Sequence, residues 1–368
     1  MSVDIARRSP GAEPGQASPA AAPAAAAACV AAVVAGRRRR RRRRVVVTAV
    51  LGVALALAFV LSLMIGNTFY GPGVVVRVLL GEDVPGASFT VGELRLPRAT
   101  LGLLTGIAFG IGGVTFQTML RNPLASPDVI GISSGASAAA VIGIVTLRLD
   151  DTEVSMMALG GALLTALSMY VLASRGGFAG GRLVLIGIGF AAMLQSIVSY
   201  VLSRAAAWDL QAAMQWLTGS LNGATWERVA PLATVCGVFV TMLLVLGRDL
   251  AVLRLGDDSS AALGLRVHRT RLLLLLAAVV LIAFATAAAG PISFVAFMAG
   301  PIAARLVGPG ASLVVPAGLV GALLVLVADL AGQNAFDHRY PVGVITGVLG
   351  APYLITLLVA LNRSGGSL

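Results

Sequence analysis

RRRRRRRRVVVTAVLGVALALAFVLSLMI, residues 37–65, decides the class of fold. Eight consecutive arginines run straight into an apolar stretch of about 21 residues. At ~1.5 Å per helical residue that stretch covers the ~30 Å hydrocarbon core of a bilayer. A basic octet alone would suit a nucleic-acid tail. Set directly against a membrane span it reads as an orientation anchor, held on the cytoplasmic side and able to touch anionic lipid headgroups through Arg37–Arg44. No nucleic-acid partner is expected.

The rest of the composition agrees. Hydrophobic residues make up 58% of the 368, charged residues 12%, and mean hydropathy is +0.92. A soluble domain runs roughly 45–50% apolar and about 25% charged, so the chain is an integral membrane protein. Net charge is +11 and every basic residue is arginine. Without lysine there is no Walker A loop and no Schiff base. Cys29, Cys236, His268 and His338 are far apart and fall in no ligand-spaced motif, so no disulfide, metal centre or cofactor is expected.

Residues 1–44 read as a disordered Pro/Ala-rich cytoplasmic tail ending in the octet, 45–363 as the transmembrane domain, and 364–368 as a short cytoplasmic tail. The apolar AAAAACVAAVVAG (24–36) precedes the arginines, the wrong order for a secretory signal. Hydropathy places spans near 45–66, 98–119, 129–148, 154–174, 182–203, 229–248, 271–289, 293–307, 312–331 and 342–361, the eighth short for a full crossing. The expected fold is all-α, polytopic, with about ten spans. Arginines concentrate in the even-numbered joints (Arg121, Arg175, Arg182, Arg248, Arg254, Arg266, Arg269, Arg271, Arg305) and acids in the odd ones, which predicts both termini inside. AWDLQAAMQWLTGSLNGATW (207–226) is too polar to span and carries Trp208, Trp216 and Trp226, as a helix lying at the outer interface would.

Three stretches then stand out: ELRLPRATLGLLTGIAFGIGGVTFQTMLRNPLASPDVIGISSGA (93–136), LGDDSSAALGLRVHRTR (255–271) with AGPISFVAFMAGPIAARLVG (289–308), and ADLAGQNAFDHRYPVGVITGVLGAPYLITLL (328–358). In order and spacing they resemble the FecCD-type permease family, the membrane subunits of ABC importers for ferric siderophores, haem and cobalamin. The resemblance runs from about residue 45 to the end. It implies the ten-helix type II importer permease fold in the cytoplasmic membrane of a bacterium. It also implies a separate ATPase subunit in two copies, a substrate-binding lipoprotein, and a second permease, identical or homologous. The substrate implied is a ferric siderophore, with cobalamin or haem as the alternative. No catalytic residue is expected.

The resemblance also implies residue roles. Ser259, Ser260, Ala261, Ala262, Leu263 and Gly264 fall in the cytoplasmic joint that docks on the ATPase, and a short small-faced helix suits a groove on another protein. Arg95 and Arg98 would receive acidic side chains of the binding protein, through a fork that matches carboxylates. Relatives carry a further arginine after the AD pair of the ninth span. Here Gln333 stands near that place and Arg339 comes later, the candidate to take the arginine's role at the binding-protein face. Gly180 and Gly181 correspond to the cytoplasmic gate. Asn122, Pro123, Pro127, Gly131 and Gly135 form a rigid corner between the second and third spans, because proline stops a helix and small residues let the next one pack closely.

Asp329, the main acid inside a span, has two readings: it snorkels, or it pairs with Arg339. An ion-coupled secondary transporter would place several acids or histidines in its spans, and a membrane enzyme would need paired carboxylates or a nucleophile–base pattern. Neither pattern is present in the sequence.

Overall fold

The computed structural model describes residues 21–126, 131–174, 180–308, 310 and 312–363, with side chains from Val30 onward except at Gly180, Leu361 and Arg363. Regular structure among the described residues is helical throughout. In chain order the helices are α1 (Ala21–Met64), α2 (Pro72–Leu79), α3 (Leu96–Met119), α4 (Ile132–Ile142), α5 (Asp151–Ser174), α6 (Gly180–Ser203), α7 (Ala207–Thr218), α8 (Trp226–Val245), α9 (Gly247–Leu253), α10 (Asp257–Ala262), α11 (Val267–Ala289), α12 (Val295–Val307), α13 (Val314–Asn334) and α14 (Val342–Arg363). A π-helical segment, Ser88–Arg95, leads into α3, and another, Gly143–Leu147, continues α4.

Eight of these segments are long and apolar enough to cross a membrane: those of α1, α3, α5, α6, α8, α11, α13 and α14. The shorter apolar helices Ile132–Leu147 and Val295–Val307 occupy the positions of the third and eighth expected spans. Within 207–226, where a helix lying at the outer interface is expected, the structure has α7, a separate 12-residue helix whose Trp208 is 84% exposed. Two elements escape the hydropathy reading: α2, in the joint after the first span, and α9, which hydropathy merges with the end of the sixth.

Contacts divide the chain into residues 1–46 and 47–368. In the first unit, residues 21–44 are helical, where the composition predicts a tail without structure. The reason is intrinsic propensity. Alanine is the best helix former and arginine is close behind it. Like-charge arginines three and four apart cost ~0.2–0.5 kcal/mol per pair. That penalty is offset because the octet extends an already nucleated helix and bears no nucleation cost. Residues 1–20 and 364–368 of the two expected tails lie outside the described residues.

In the second unit α3 is the central helix, packed against α8, α11, α12 and α13. At its middle the seam with α13 brings backbone against backbone, with side chains such as Ile111 and Leu326 packing to either side. A Cβ at Gly106 would lie 2.4 Å from the Ala322 Cα, and one at Gly321 would lie 2.2 Å from the Gly106 carbonyl oxygen. On the side facing α12 a Cβ at Gly113 would sit 2.0 Å from the Ala296 oxygen. Gln117 adds a cross-link there, its side-chain amide donating to the Phe297 carbonyl at 2.9 Å. Close approach of this kind is what drives association of membrane helices, since lipid is as apolar as their side chains.

Candidate functional site

The polar chemistry of the bundle gathers at the two ends of α3. At its N-terminal end Arg98 forms a bidentate pair with Asp329 of α13: Nε donates to Oδ2 at 2.9 Å and Nη2 to Oδ1 at 2.7 Å. Arg98 Nη1 donates to Asn222 Oδ1 at 2.7 Å, in the loop between α7 and α8. Gln333, one turn along α13, donates to Asp329 Oδ2 at 2.9 Å. Asp329 is only 6% exposed, so its charge is held by three charge-assisted hydrogen bonds instead of water. The partner of Asp329 is therefore Arg98, neither the lipid interface nor Arg339. Arg339 lies in the exposed loop before α14 and donates to Asn67. Gln333, where relatives are expected to carry an arginine, acts here as a neutral donor to the same carboxylate.

Arg95 is also engaged within the chain. Its guanidinium donates to the carbonyls of Leu63 and Met64 at 2.9 Å and of Thr68 at 2.6 Å, and lies 5.1 Å from the centre of the Tyr70 ring. It thereby satisfies carbonyls that the end of α1 would otherwise leave open. The main chain closes the same end of the bundle. Ser220 N donates to the Ala289 oxygen at 2.8 Å and Gly343 N to the Gly219 oxygen at 3.2 Å, joining the loop after α7 to the end of α11 and the start of α14.

The other end of α3 meets α10. Helix α10 is six residues long and is bracketed by Gly256 at φ +107° and Gly264 at φ +85°, conformations that favour glycine. The Ser260 hydroxyl is fully buried, within 2.9 Å of the Val252 carbonyl and 2.5 Å of the Gly256 carbonyl. Ser259, Ala261, Ala262, Leu263 and Gly264 are exposed, with Leu263 at 66%. The six-residue segment singled out in the sequence thus divides into a buried anchor, Ser260, and an exposed small-residue face tipped by leucine.

Asp257, the first residue of α10, accepts from Arg121 Nη2 at 2.8 Å and from Arg271 Nη2 at 2.7 Å, both at Oδ1. Arg121 directly follows the capping residue of α3 and sits at φ +50°. Arg271 lies in the first turns of α11, its side chain 11% exposed. A cavity of about 270 Å³ at the Arg98 end is lined by Asp151, Gln215, Ser220, Asn222 and Arg228. A larger one, about 610 Å³, opens beside α10 and is lined by Met119, Arg121, Gly181, Asp257, Ser259 and Arg271.

The corner residues lie next to this end. Asn122 Oδ1 accepts from Leu124 N at 2.9 Å and Asn122 N donates to the Gln117 oxygen at 3.0 Å, turning the chain through Pro123. Pro127 lies outside the described residues. Gly131 caps α4 at φ +92°, and a Cβ at Gly135 would fall 2.2 Å from Thr165 Oγ1 of α5. Of the expected gate pair, Gly180 begins α6 and Gly181 borders the larger cavity.

Sequence reasoning singled out the α10 segment, Arg95, Arg98 and, as an intramembrane acid, Asp329, but missed the pairing of Arg98 with Asp329 and Asn222 and of Asp257 with Arg121 and Arg271. One signal for Asp257 was available: it is a rare acid among arginine-rich joints, and such an acid draws cations.

A bundle with eight apolar helices long enough to cross a bilayer, its polar clusters at the ends, is that of a multi-pass membrane protein. The chain belongs to the FecCD transport family, which matches residues 54–360. It is 42% identical over 290 residues to the ferric enterobactin transport system permease protein FepG of Escherichia coli (strain K12), covering 78% of this chain and 88% of that one. It is 39% identical over 321 residues to the achromobactin transport system permease protein CbrC of Dickeya dadantii (strain 3937), covering 85% and 92%. A cobalamin import system permease protein, BtuC of Halobacterium salinarum, is 35% identical over 275 residues, covering 74% of each chain. In fold the chain is similar to a solved metal-chelate type ABC transporter in an inward-facing conformation, with a TM-score of 0.77 and 24% identity over 85% of this chain and 99% of that one.

Proposed function

We propose that this chain is the permease subunit of an ABC importer that carries a ferric siderophore across the cytoplasmic membrane of a bacterium. The observation that carries the reading is the family match over residues 54–360, with siderophore permeases among the most similar relatives. A second permease, identical or homologous, completes the pathway, and both termini are cytoplasmic. Two copies of an ATPase subunit act at the α10 end, whose exposed face of Ser259, Ala261, Ala262, Leu263 and Gly264 suits a protein groove. A substrate-binding lipoprotein delivers the chelate at the Arg98 end. There Arg339 is exposed and offers its charge directly, while Arg95 and Arg98 act through the rim they hold in shape.

The chain makes no covalent change in its cargo. It alternates between outward- and inward-facing states, biased by nucleotide on the partner subunits. Cobalamin is the second reading, supported by the 35% identity to the Halobacterium permease. Reconstitution into proteoliposomes with a cognate ATPase and binding protein tests both. The expected result is ATP-dependent uptake of an iron-loaded chelate, unaffected by excess cobalamin. Uptake of cobalamin and of no iron chelate would overturn the substrate assignment.

A further inference from the structure

We propose that Asp257 and Arg121 are positioning residues for energy coupling: the ion pair between them, with Arg271, fastens α10 to the ends of α3 and α11, so that a displacement of α10 moves both helices. The proposal rests on the importer reading above, and it assigns a task to residues that lie outside the docking face itself.

Helix α10 is six residues long, and glycines at positive φ flank it on both sides. Its buried Ser260 reaches Val252 and Gly256, which ties it to α9 and shapes the turn but makes no bond to α3. Asp257 makes the link. One oxygen receives two guanidinium groups, 2.8 Å from Arg121, just past the end of α3, and 2.7 Å from Arg271 in α11. The same carboxylate is the first residue of α10, where the free N–H groups of a helix favour a negative charge.

Arg121 is held firmly on its own side. It directly follows the end of α3 in a left-handed conformation, φ +50°, and its N–H donates to the Thr118 oxygen at 3.2 Å. The following Asn122 N–H bonds back to Gln117, whose side chain is tied to the Phe297 carbonyl. Motion imposed on Asp257 therefore reaches α3 through a short, hydrogen-bonded turn.

An exposed ion pair contributes little to stability, and both Arg121 and Asp257 are about half exposed. The function of this pair is connection. Without the carboxylate, Arg121 and Arg271 lose their shared acceptor on α10. Without Arg121, α10 stays tied to α9 and α11 but loses its ion pair to the end of α3.

The test uses the full complex in proteoliposomes and reads substrate taken up per ATP hydrolysed. Arg121→Gln is the primary variant, because it leaves every residue of α10 unchanged. Uptake per ATP should fall at least ~fivefold, the scale of a typical coupling free energy, while the ATPase subunit still copurifies. Asp257→Asn should do the same. Asp257→Glu, which keeps the carboxylate between the two arginines, should retain most of the wild-type ratio. Unchanged uptake per ATP in Arg121→Gln overturns the proposal. So does failure of that variant to assemble with the ATPase, or a loss in Asp257→Glu as large as in Asp257→Asn. Absence of ATP-dependent uptake by the wild-type complex would instead remove the importer reading on which the proposal stands.

Discussion

At the scale of single residues, the bundle separates glycines that are needed from glycines that are tolerated. A Cβ at Gly113 has no space beside the Ala296 carbonyl, whereas nothing lies within 4 Å of one at Gly181. Gly113→Ala should therefore reduce the yield of folded protein in detergent, read by size-exclusion profile. Gly181→Ala should fold normally and add helix propensity at the start of α6, ~0.5–1 kcal/mol. If Gly181 works as a gate hinge, that variant slows transport with no loss of stability; unaltered uptake would leave it an ordinary helix start.

The Arg98–Asp329 pair makes a second prediction at this scale. Removing one partner of a buried ion pair leaves an uncompensated charge and costs about 3–5 kcal/mol. Arg98→Leu and Asp329→Leu should each lower the thermal midpoint, and the double variant should recover much of the loss. A drop as large in the double as in the sum of the singles would show that the charges do not interact. Nothing in the sequence joins these residues, since 231 positions separate them. The acid was visible as an intramembrane charge, but its partner emerges only when α3 and α13 lie side by side.

At the scale of elements, α10 is the clearest case of partial legibility. Composition and family resemblance located it, and both treat its six positions alike. Only the fold turns Ser260 inward and leaves Ala261 and Leu263 facing out. A bulky charge on the outward face, Ala261→Arg, should abolish copurification of the ATPase while membrane insertion stays normal. Full recovery of the complex would place the docking surface elsewhere. The spans were legible because lipid demands long apolar helices with every backbone group satisfied internally. Short elements such as α2 and α9 were not, because their apolar residues pack on neighbours that hydropathy does not see.

At the scale of the whole molecule, orientation rests on charge. The octet Arg37–Arg44 and the arginine-rich joints predict a cytoplasmic N-terminus. Cys29 lies ahead of the octet, so in intact cells a membrane-impermeant maleimide should leave it unlabelled until the membrane is permeabilised. Replacing the eight arginines with serine should raise the labelled fraction in intact cells; no change would assign orientation to the later joints. Helicity across residues 21–44 was hidden from the sequence reading because a Pro/Ala-rich, highly charged stretch has the composition of a disordered tail. Local propensity and a neighbouring span outweigh that composition.

The glycine seam between α3 and α13 has one more consequence. Where helices interlock through side chains, rotamers can yield, and some of an imposed displacement is absorbed by repacking. Backbone against backbone at Gly106 and Gly321 has no such slack, and the double-toothed clasp of Arg98 on Asp329 stops the two helices from slipping lengthwise. Held at those points, α3 and α13 resist sliding past each other over the ~36 Å length of the 24-residue α3.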